Sequence, residues 1–180
     1  MVDPPKSLDF EKGLMFFHAY MYRPLQGKLR LYRARDVSPS TVASPSDWEV
    51  FASILTGDPG SGTSEGIDLH DYEVKSARKG SSFEYQYHRN SWREKLNRDM
   101  AVGHLFFMHE DNLRDVELWF ANGEDMAIGF FKPWVAEQPY VSVGQQRFRR
   151  SVPYSWVTSH GTQLMVLNDG EVTFPPGGVI

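Results

Sequence analysis

The stretch 65-EGIDLHDYEVKSARKG-80 sets Glu65, Asp68, Asp71 and Glu73 within nine positions, then follows them with Lys75, Arg78 and Lys79. In an extended chain successive side chains point to opposite faces. Within 71-DYEVK-75, Asp71, Glu73 and Lys75 therefore share one face, while Tyr72 and Val74 share the other. Two carboxylates held about 4 Å apart repel by roughly 4 kcal/mol at an effective dielectric near 20, so such a cluster needs water or a cation to screen it. Oxygen donors of this kind suit Mg²⁺, which keeps several waters and takes one or two protein carboxylates. A lysine beside that cation orients or deprotonates a water, or stabilises charge developing on a phosphate. The competing reading is an exposed, charged hairpin tip with no chemistry.

Working outward, the spacing predicts a helix over 7–23. Ser7 is its N-cap, Leu8, Leu14, Phe17 and Met21 form the apolar stripe, and Pro24 ends it. The alternation in 28-KLRLYRARD-36 predicts a strand, and 38-SPSTVASPS-46 a loop. A short helix closed by Gly57 is predicted from 47-DWEVFASILTG-57, with a strand as the alternative, and 57–66 is a glycine-rich loop. Residues 67–77 form one strand or a tight hairpin, and 83–88 an aromatic-polar strand. Residues 91–100 form a helix, with Ser91 as N-cap and Glu94 at the capping-box position. Strands at 102–109 and 114–121 are joined as a hairpin, 124–135 is a short helix, and weak strand patterns cover 140–150 and 162–174. This order predicts a mixed α/β chain, a central mixed β-sheet flanked by helices.

The string 66-GIDLHDYEVKS-76 resembles the active-site signature of the PD-(D/E)XK nuclease superfamily, to which most Type II restriction endonucleases belong. In that family an Asp begins one strand, and a Glu-x-Lys triplet lies on the adjoining strand of a hairpin. The resemblance implies a restriction-endonuclease-like core in which Asp68 and Glu73 are the metal-ligand carboxylates, the Val74 carbonyl is a further ligand, and Lys75 is the catalytic lysine. Strict alternation puts Asp68 and Glu73 on opposite faces, so a bulge or tight turn around His70 has to bring them together. Asp71, already in register, competes for the role of first carboxylate. Glu11, on the first predicted helix, is the candidate for a further carboxylate of the metal shell. The implied cofactor is Mg²⁺, with Mn²⁺ as a substitute. The resemblance covers about 7–120 as architecture but only 66–76 as motif. It implies one nuclease domain over 1–180, with a catalytic core at about 7–131 and a DNA-recognition or dimerisation extension at 132–180.

A net charge of −4 does not announce a nucleic-acid binder, but the distribution is uneven. Basic residues crowd 75–98 and the run 145-QQRFRRS-151. Lys79, Arg89, Arg93, Gln145, Arg147, Arg149 and Arg150 are the candidate contacts to double-stranded DNA, and Gln86 and His88 are placed to hold a phosphate or water. The expected activity is that of a site-specific deoxyribonuclease, acting as a homodimer or as a monomer. A repair or nicking endonuclease and a non-catalytic DNA-binding domain are the alternatives.

Other chemistries fit less well. The loop 57-GDPGSGTS-64 approaches the P-loop pattern but has Thr63 where the lysine belongs. The six histidines are scattered, there is no Cys for a thiolate zinc site, and no G-x-S-x-G elbow occurs. No apolar run reaches the roughly 20 residues of a membrane helix, and the N-terminus lacks a secretory pattern, so a cytoplasmic protein is expected.

Overall fold

The computed structural model describes residues 2–37, 43–62, 67–137, 144 and 146–173. Helix α1 (Phe10–Phe16) is capped by Asp9, whose carboxylate accepts from the Lys12 N–H at 3.1 Å, rather than by Ser7. The chain does not stop at Pro24. It runs through a π-helical turn, Phe17–Tyr22, straight into α2 (Arg23–Arg33). Proline lacks an N–H, and its ring crowds the carbonyl four residues back; the wider turn immediately upstream relieves that conflict. The same device recurs at Ala127–Phe131, ahead of Pro133.

The strand expected over 28–36 is therefore mostly helix. The alternation misleads because Leu31 is exposed, while the buried pair is Leu25 and Leu29, at helical spacing. Helix α3 (Pro45–Thr56) is set by a capping box between Ser44 and Asp47, by Pro45 in the first turn, and by Gly57 in the left-handed conformation. Trp48, Phe51, Ala52 and Leu55 form its buried stripe.

Strands β1 (Tyr72–Arg78) and β2 (Phe83–His88) are followed by α4 (Trp92–Asp99), whose Ser91 makes no side-chain capping bond among the described residues. Then come β3 (Gly103–His109) and β4 (Val116–Asn122), the expected hairpin. Helices α5 (Gly123–Met126) and α6 (Lys132–Ala136), joined through the second π-helical turn, account for the predicted helix at 124–135. Strand β5 (Arg147–Val152), helix α7 (Tyr154–His160), and strands β6 (Thr162–Asn168) and β7 (Glu171–Thr173) complete the order.

The main sheet is five-stranded, in the order β1-β3-β4-β6-β7. Strand β1 runs parallel to β3 and every other pairing is antiparallel, so the sheet is mixed. Parallel neighbours require a crossover, which β2 and α4 supply. A separate antiparallel ribbon pairs β2 with β5. The residues beyond 131 thus enter both sheets, β5 completing the ribbon and β6 lying beside β4.

Two apolar clusters lie on opposite faces of the main sheet. Tyr72, Val74, Leu105, Phe107, Leu118 and Phe120 pack with α1–α3 and the first π-helical turn. Phe106, Met108 and Ala121 pack on the other face with Phe83, Tyr85 and Tyr87 of the ribbon and with α4–α7. Strand β3 is buried along its whole length, as a central strand covered on both faces must be. No helix among the described residues is long and apolar enough to cross a membrane.

Candidate active site

The chain doubles back ahead of β1. Leu69 donates its N–H to the Tyr72 carbonyl at 2.9 Å, and His70 donates to the Pro59 carbonyl at 3.2 Å. This is the tight turn that alternation demanded around His70. It folds Asp68 over the start of β1, where its Oδ2 accepts from the Val74 N–H at 2.8 Å and its own N–H lies 3.3 Å from Glu73 Oε2. β1 stands at one end of the strand order, so the Val74 N–H faces away from β3 and towards this carboxylate.

Glu73 and Lys75 project from β1 into the ribbon side, opposite Tyr72 and Val74. Glu73 is fully buried, and its Oε1 receives two ammonium groups, Lys75 Nζ at 2.5 Å and Lys95 Nζ at 2.9 Å. Lys75 Nζ also lies 3.6 Å from Asp68 Oδ2 and donates to the Val74 carbonyl at 3.1 Å. Lys95, from α4, reaches Asp99 Oδ1 one turn further on at 3.4 Å. Asp99, also fully buried, accepts from the Tyr87 hydroxyl at 2.7 Å.

His104 sits beside Glu73 in the β1–β3 register, with Nε2 2.8 Å from the Asp99 carbonyl and Nδ1 2.8 Å from the Tyr85 hydroxyl. A carbonyl only accepts, so Nε2 carries the proton and Nδ1 accepts from Tyr85. The Tyr85 ring lies 5.2 Å beneath Lys75 Nζ. No buried side-chain N or O atom among the described residues is left without a partner.

Burial alone raises the Glu73 carboxyl, but the Lys75 and Lys95 charges overcome it and hold it down to about 2. Burial lowers Lys75, and the Glu73 and Asp68 carboxylates outweigh it, so the amine stays above its ordinary range. An ammonium so held is a hydrogen-bond donor and fixed charge rather than a base. Asp99 is pushed up to about 7 by burial and by the Glu73 charge. Asp68 is raised by burial, with Lys75 pulling against it. Burial lowers His104 to about 4, which keeps the ring neutral.

Sequence reasoning missed five of these groups, His104 among them. Lys95 and Asp99 were legible as charged residues interrupting the apolar stripe of Trp92 and Leu96 on a predicted helix. Tyr85 and Tyr87 become visible only once β2 is folded back. Glu49 was missed too. It lies half-buried on α3, its carboxyl raised by burial and then by the Asp68 charge. Glu11, the predicted helix carboxylate, is exposed in the first turn of α1, whereas α3 is the helix packed on β1.

Asp71 is likewise exposed: the turn that brings Asp68 in takes Asp71 out of the cluster despite its register. Gln86 and His88 leave the site as well. Tyr85 and Tyr87 occupy the inner face of β2, so Gln86 and His88 lie on its outer face. There they pair in register with Arg149 and Arg147. Arg150 turns the other way, stacking on Phe148 and pairing with Glu137 at 2.7 Å. Lys79 sits past the far end of β1, paired with Glu117 at 2.5 Å, and lines a cleft of about 710 Å³ with Tyr32, Arg33 and His109. Arg89 and Arg93 are exposed, Arg93 lying 4.4 Å over Trp92. Gln145 and Thr63 lie outside the described residues.

Among the described residues no group of three or more His, Asp or Glu side chains is placed to hold one metal ion. The pair Asp68 and Glu73, with the Val74 carbonyl, is an all-oxygen donor set. Such donors are of the type Mg²⁺ takes, but Lys75 and Lys95 occupy Glu73 Oε1 and Lys75 also donates to the Val74 carbonyl, so a cation held there would displace one of those contacts. No protein-family model and no curated protein matches the chain.

Proposed function

We propose that this protein is a Mg²⁺-dependent endonuclease that hydrolyses phosphodiester bonds of double-stranded DNA, in the manner of a Type II restriction enzyme. The supporting observation is the convergence of Asp68, Glu73 and Lys75 at the edge of a mixed sheet, through a turn around His70 without which strict alternation would keep Asp68 and Glu73 on opposite faces. A merely structural charge cluster needs no reversal of the chain to assemble it.

Asp68, Glu73 and the Val74 carbonyl would hold the cation. Bound there, Mg²⁺ supplies Lewis-acid stabilisation of the phosphate and of the leaving 3′ oxygen. Lys75, fixed in its protonated form, donates to the attacking water and offsets the charge that builds on the phosphoryl oxygens. Lys95 shares Glu73 Oε1, so Glu73 keeps a charged partner when Lys75 turns to substrate. Asp99 and Tyr87 hold Lys95 in place from behind. A two-fold dimer follows if the cleaved site is palindromic, since site symmetry mirrors protein symmetry.

The test is incubation of bacteriophage and plasmid DNA with wild type and with Lys75→Ala, in Mg²⁺ and in EDTA. Discrete, Mg²⁺-dependent fragments that disappear in the variant support a sequence-specific nuclease. Nicked circles alone move the reading to a strand-specific repair enzyme. No cleavage of modified or unmodified DNA, with binding retained, leaves a DNA-binding domain without catalysis.

A further inference from the structure

The β2–β5 ribbon presents two unlike faces. Its inner face carries Phe83, Tyr85, Tyr87, Phe148 and Val152 into the core. Its outer face is polar and in strict register: Glu84 opposite Ser151, Gln86 opposite Arg149, and His88 opposite Arg147. The ladder continues one rung further, where the Arg89 N–H donates to the Gln146 carbonyl at 2.7 Å. Arg147 and Arg149 are exposed, on a chain whose net charge is −4. Glu84 is the one acid on this face among the described residues, and it lies only 3.5 Å from Arg149, in a solvent-exposed pair of little intrinsic strength.

We infer that this outer face is the base-reading element of the protein, a two-stranded ribbon that enters the major groove of B-form DNA, with Gln86 and Arg149 as its central contacts. The inference rests on the nuclease reading above. Four features carry it. A two-stranded ribbon is one of the two elements that the groove, about 12 Å wide, admits. Side chains on one face of a strand recur at about 6.8 Å, which matches two base-pair steps at about 3.4 Å each. The Gln86–Arg149 pair therefore addresses one step, and the His88–Arg147 pair the step two base pairs away.

The residue types agree with that spacing. Arg binds guanine through O6 and N7, and Gln binds adenine through N6 and N7, each in a bidentate fashion. Position matters as much as chemistry. Tyr85, between Glu84 and Gln86, reaches through the ribbon to lie against Lys75, so one layer of side chains separates the reading face from the proposed site of cleavage. Arg150 is excluded from the reading set because it faces inward to Phe148 and Glu137.

The experiment uses the cleavage-silent Lys75→Ala protein and a pool of random-sequence duplex DNA, with bound molecules recovered and sequenced. The same selection is run on Lys75→Ala combined with Gln86→Ala, with Arg149→Ala, and, as a control on an exposed cation of α4, with Arg98→Ala. The parent and the Arg98 control are expected to enrich one motif. Each ribbon variant is expected to lose discrimination at a single base pair by about 5- to 150-fold, the worth of one bidentate contact, while binding of the pool as a whole persists. Identical motifs from parent and both ribbon variants overturn the ribbon assignment and leave the nuclease reading standing. A uniform loss of binding, with a shallower salt dependence and no change of motif, reduces the ribbon to a phosphate contact and overturns base reading. A wild type that neither cuts DNA nor binds the pool overturns the nuclease reading itself.

Discussion

The two faces of the main sheet are built from the same strands and are unlike in every other respect. Towards α1–α3, β1 and β3 present Tyr72, Val74, Leu105 and Phe107, and the layer is apolar apart from His109, stacked on Trp48 at the end of β3. Towards the ribbon the neighbouring residues of those strands present Glu73, Lys75, His104 and Phe106, and charge runs through an otherwise aromatic layer. Ionic groups taken from water cost several kcal/mol each, and apolar replacements of buried ion pairs are often neutral or stabilising. The first face is what this fold does for stability when nothing else is asked of it. The second carries a standing cost that an apolar layer would avoid, and the proposed chemistry would account for it.

That contrast can be broken from either side. The largest expected effect on folding is at the apolar face: Phe107→Ala should cost about 3–5 kcal/mol in urea unfolding. Next comes Lys75→Ala, which should lower the rate of DNA cleavage by about 10²- to 10³-fold, the worth of one transition-state donor, and should also cost roughly 3 kcal/mol of stability, because buried Glu73 is left with Lys95 alone. Lys95→Ala leaves two carboxylates, Glu73 and Asp99, short of a partner and should cost about 3 kcal/mol of stability. Lys95→Met combined with Asp99→Leu should recover much of that in the same assay without restoring full cleavage.

A comparable but graded effect should appear in Asp99→Asn, read as stability against pH. Because the folded carboxyl titrates near 7 and an ordinary Asp near 3.8, the native state holds an extra proton between those values. The stability that Asp99 contributes is therefore full below about pH 4 and lost as pH rises through about 7. His104, with its folded value lowered to about 4, works in the opposite sense below its ordinary 6.5, so only the difference between variant and wild type isolates Asp99. That difference should grow in the variant's favour from pH 4 to 7, by at most about 1.4 kcal/mol per pH unit. The smallest expected change is in the acid limb of cleavage. Burial raises Asp68 in the metal-free protein, and a bound cation would pull it back down, so the acid limb of cleavage should move to lower pH as Mg²⁺ is raised; a limb that does not move with Mg²⁺ would argue against Asp68 as a ligand.

Much of the site was legible in the sequence, and the reason lies in its local character. Asp68, Glu73 and Lys75 fall within eight residues, and their need for a reversal near His70 follows from side-chain alternation. Glu49 was not legible in the same way, because choosing it over Glu11 requires knowing that α3 rather than α1 packs on β1. Gln86 and His88 were placed on the catalytic side because β2 was read as one strand near the lysine, without its partner. The pairing with β5, remote in sequence, turns them outward. In the fold, the alternating run in 28-KLRLYRARD-36 failed because Leu31 is an exposed apolar residue inside a helix, and period-2 patterns of five or six residues do not exclude that. Helix α7 carries Pro153 at its cap and was hidden among aromatic and Ser/Thr residues of weak helical preference.

The pairing of β2 with β5 also dictates an order of assembly. Phe83 meets Val152 and His88 meets Arg147, whereas the β3–β4 hairpin closes over the short span between His109 and Val116. Ladders that span long stretches of chain form after local ones, since their loop-closure entropy is larger. On a ribosome, a nascent chain that has emerged only as far as α6 carries Glu73, Lys75, Lys95 and Asp99, yet its β2 lacks the strand that holds Tyr85 and Tyr87 against them. The charged cluster therefore gains its aromatic wall only once β5 has emerged, and a protein that cuts DNA would be silent until then.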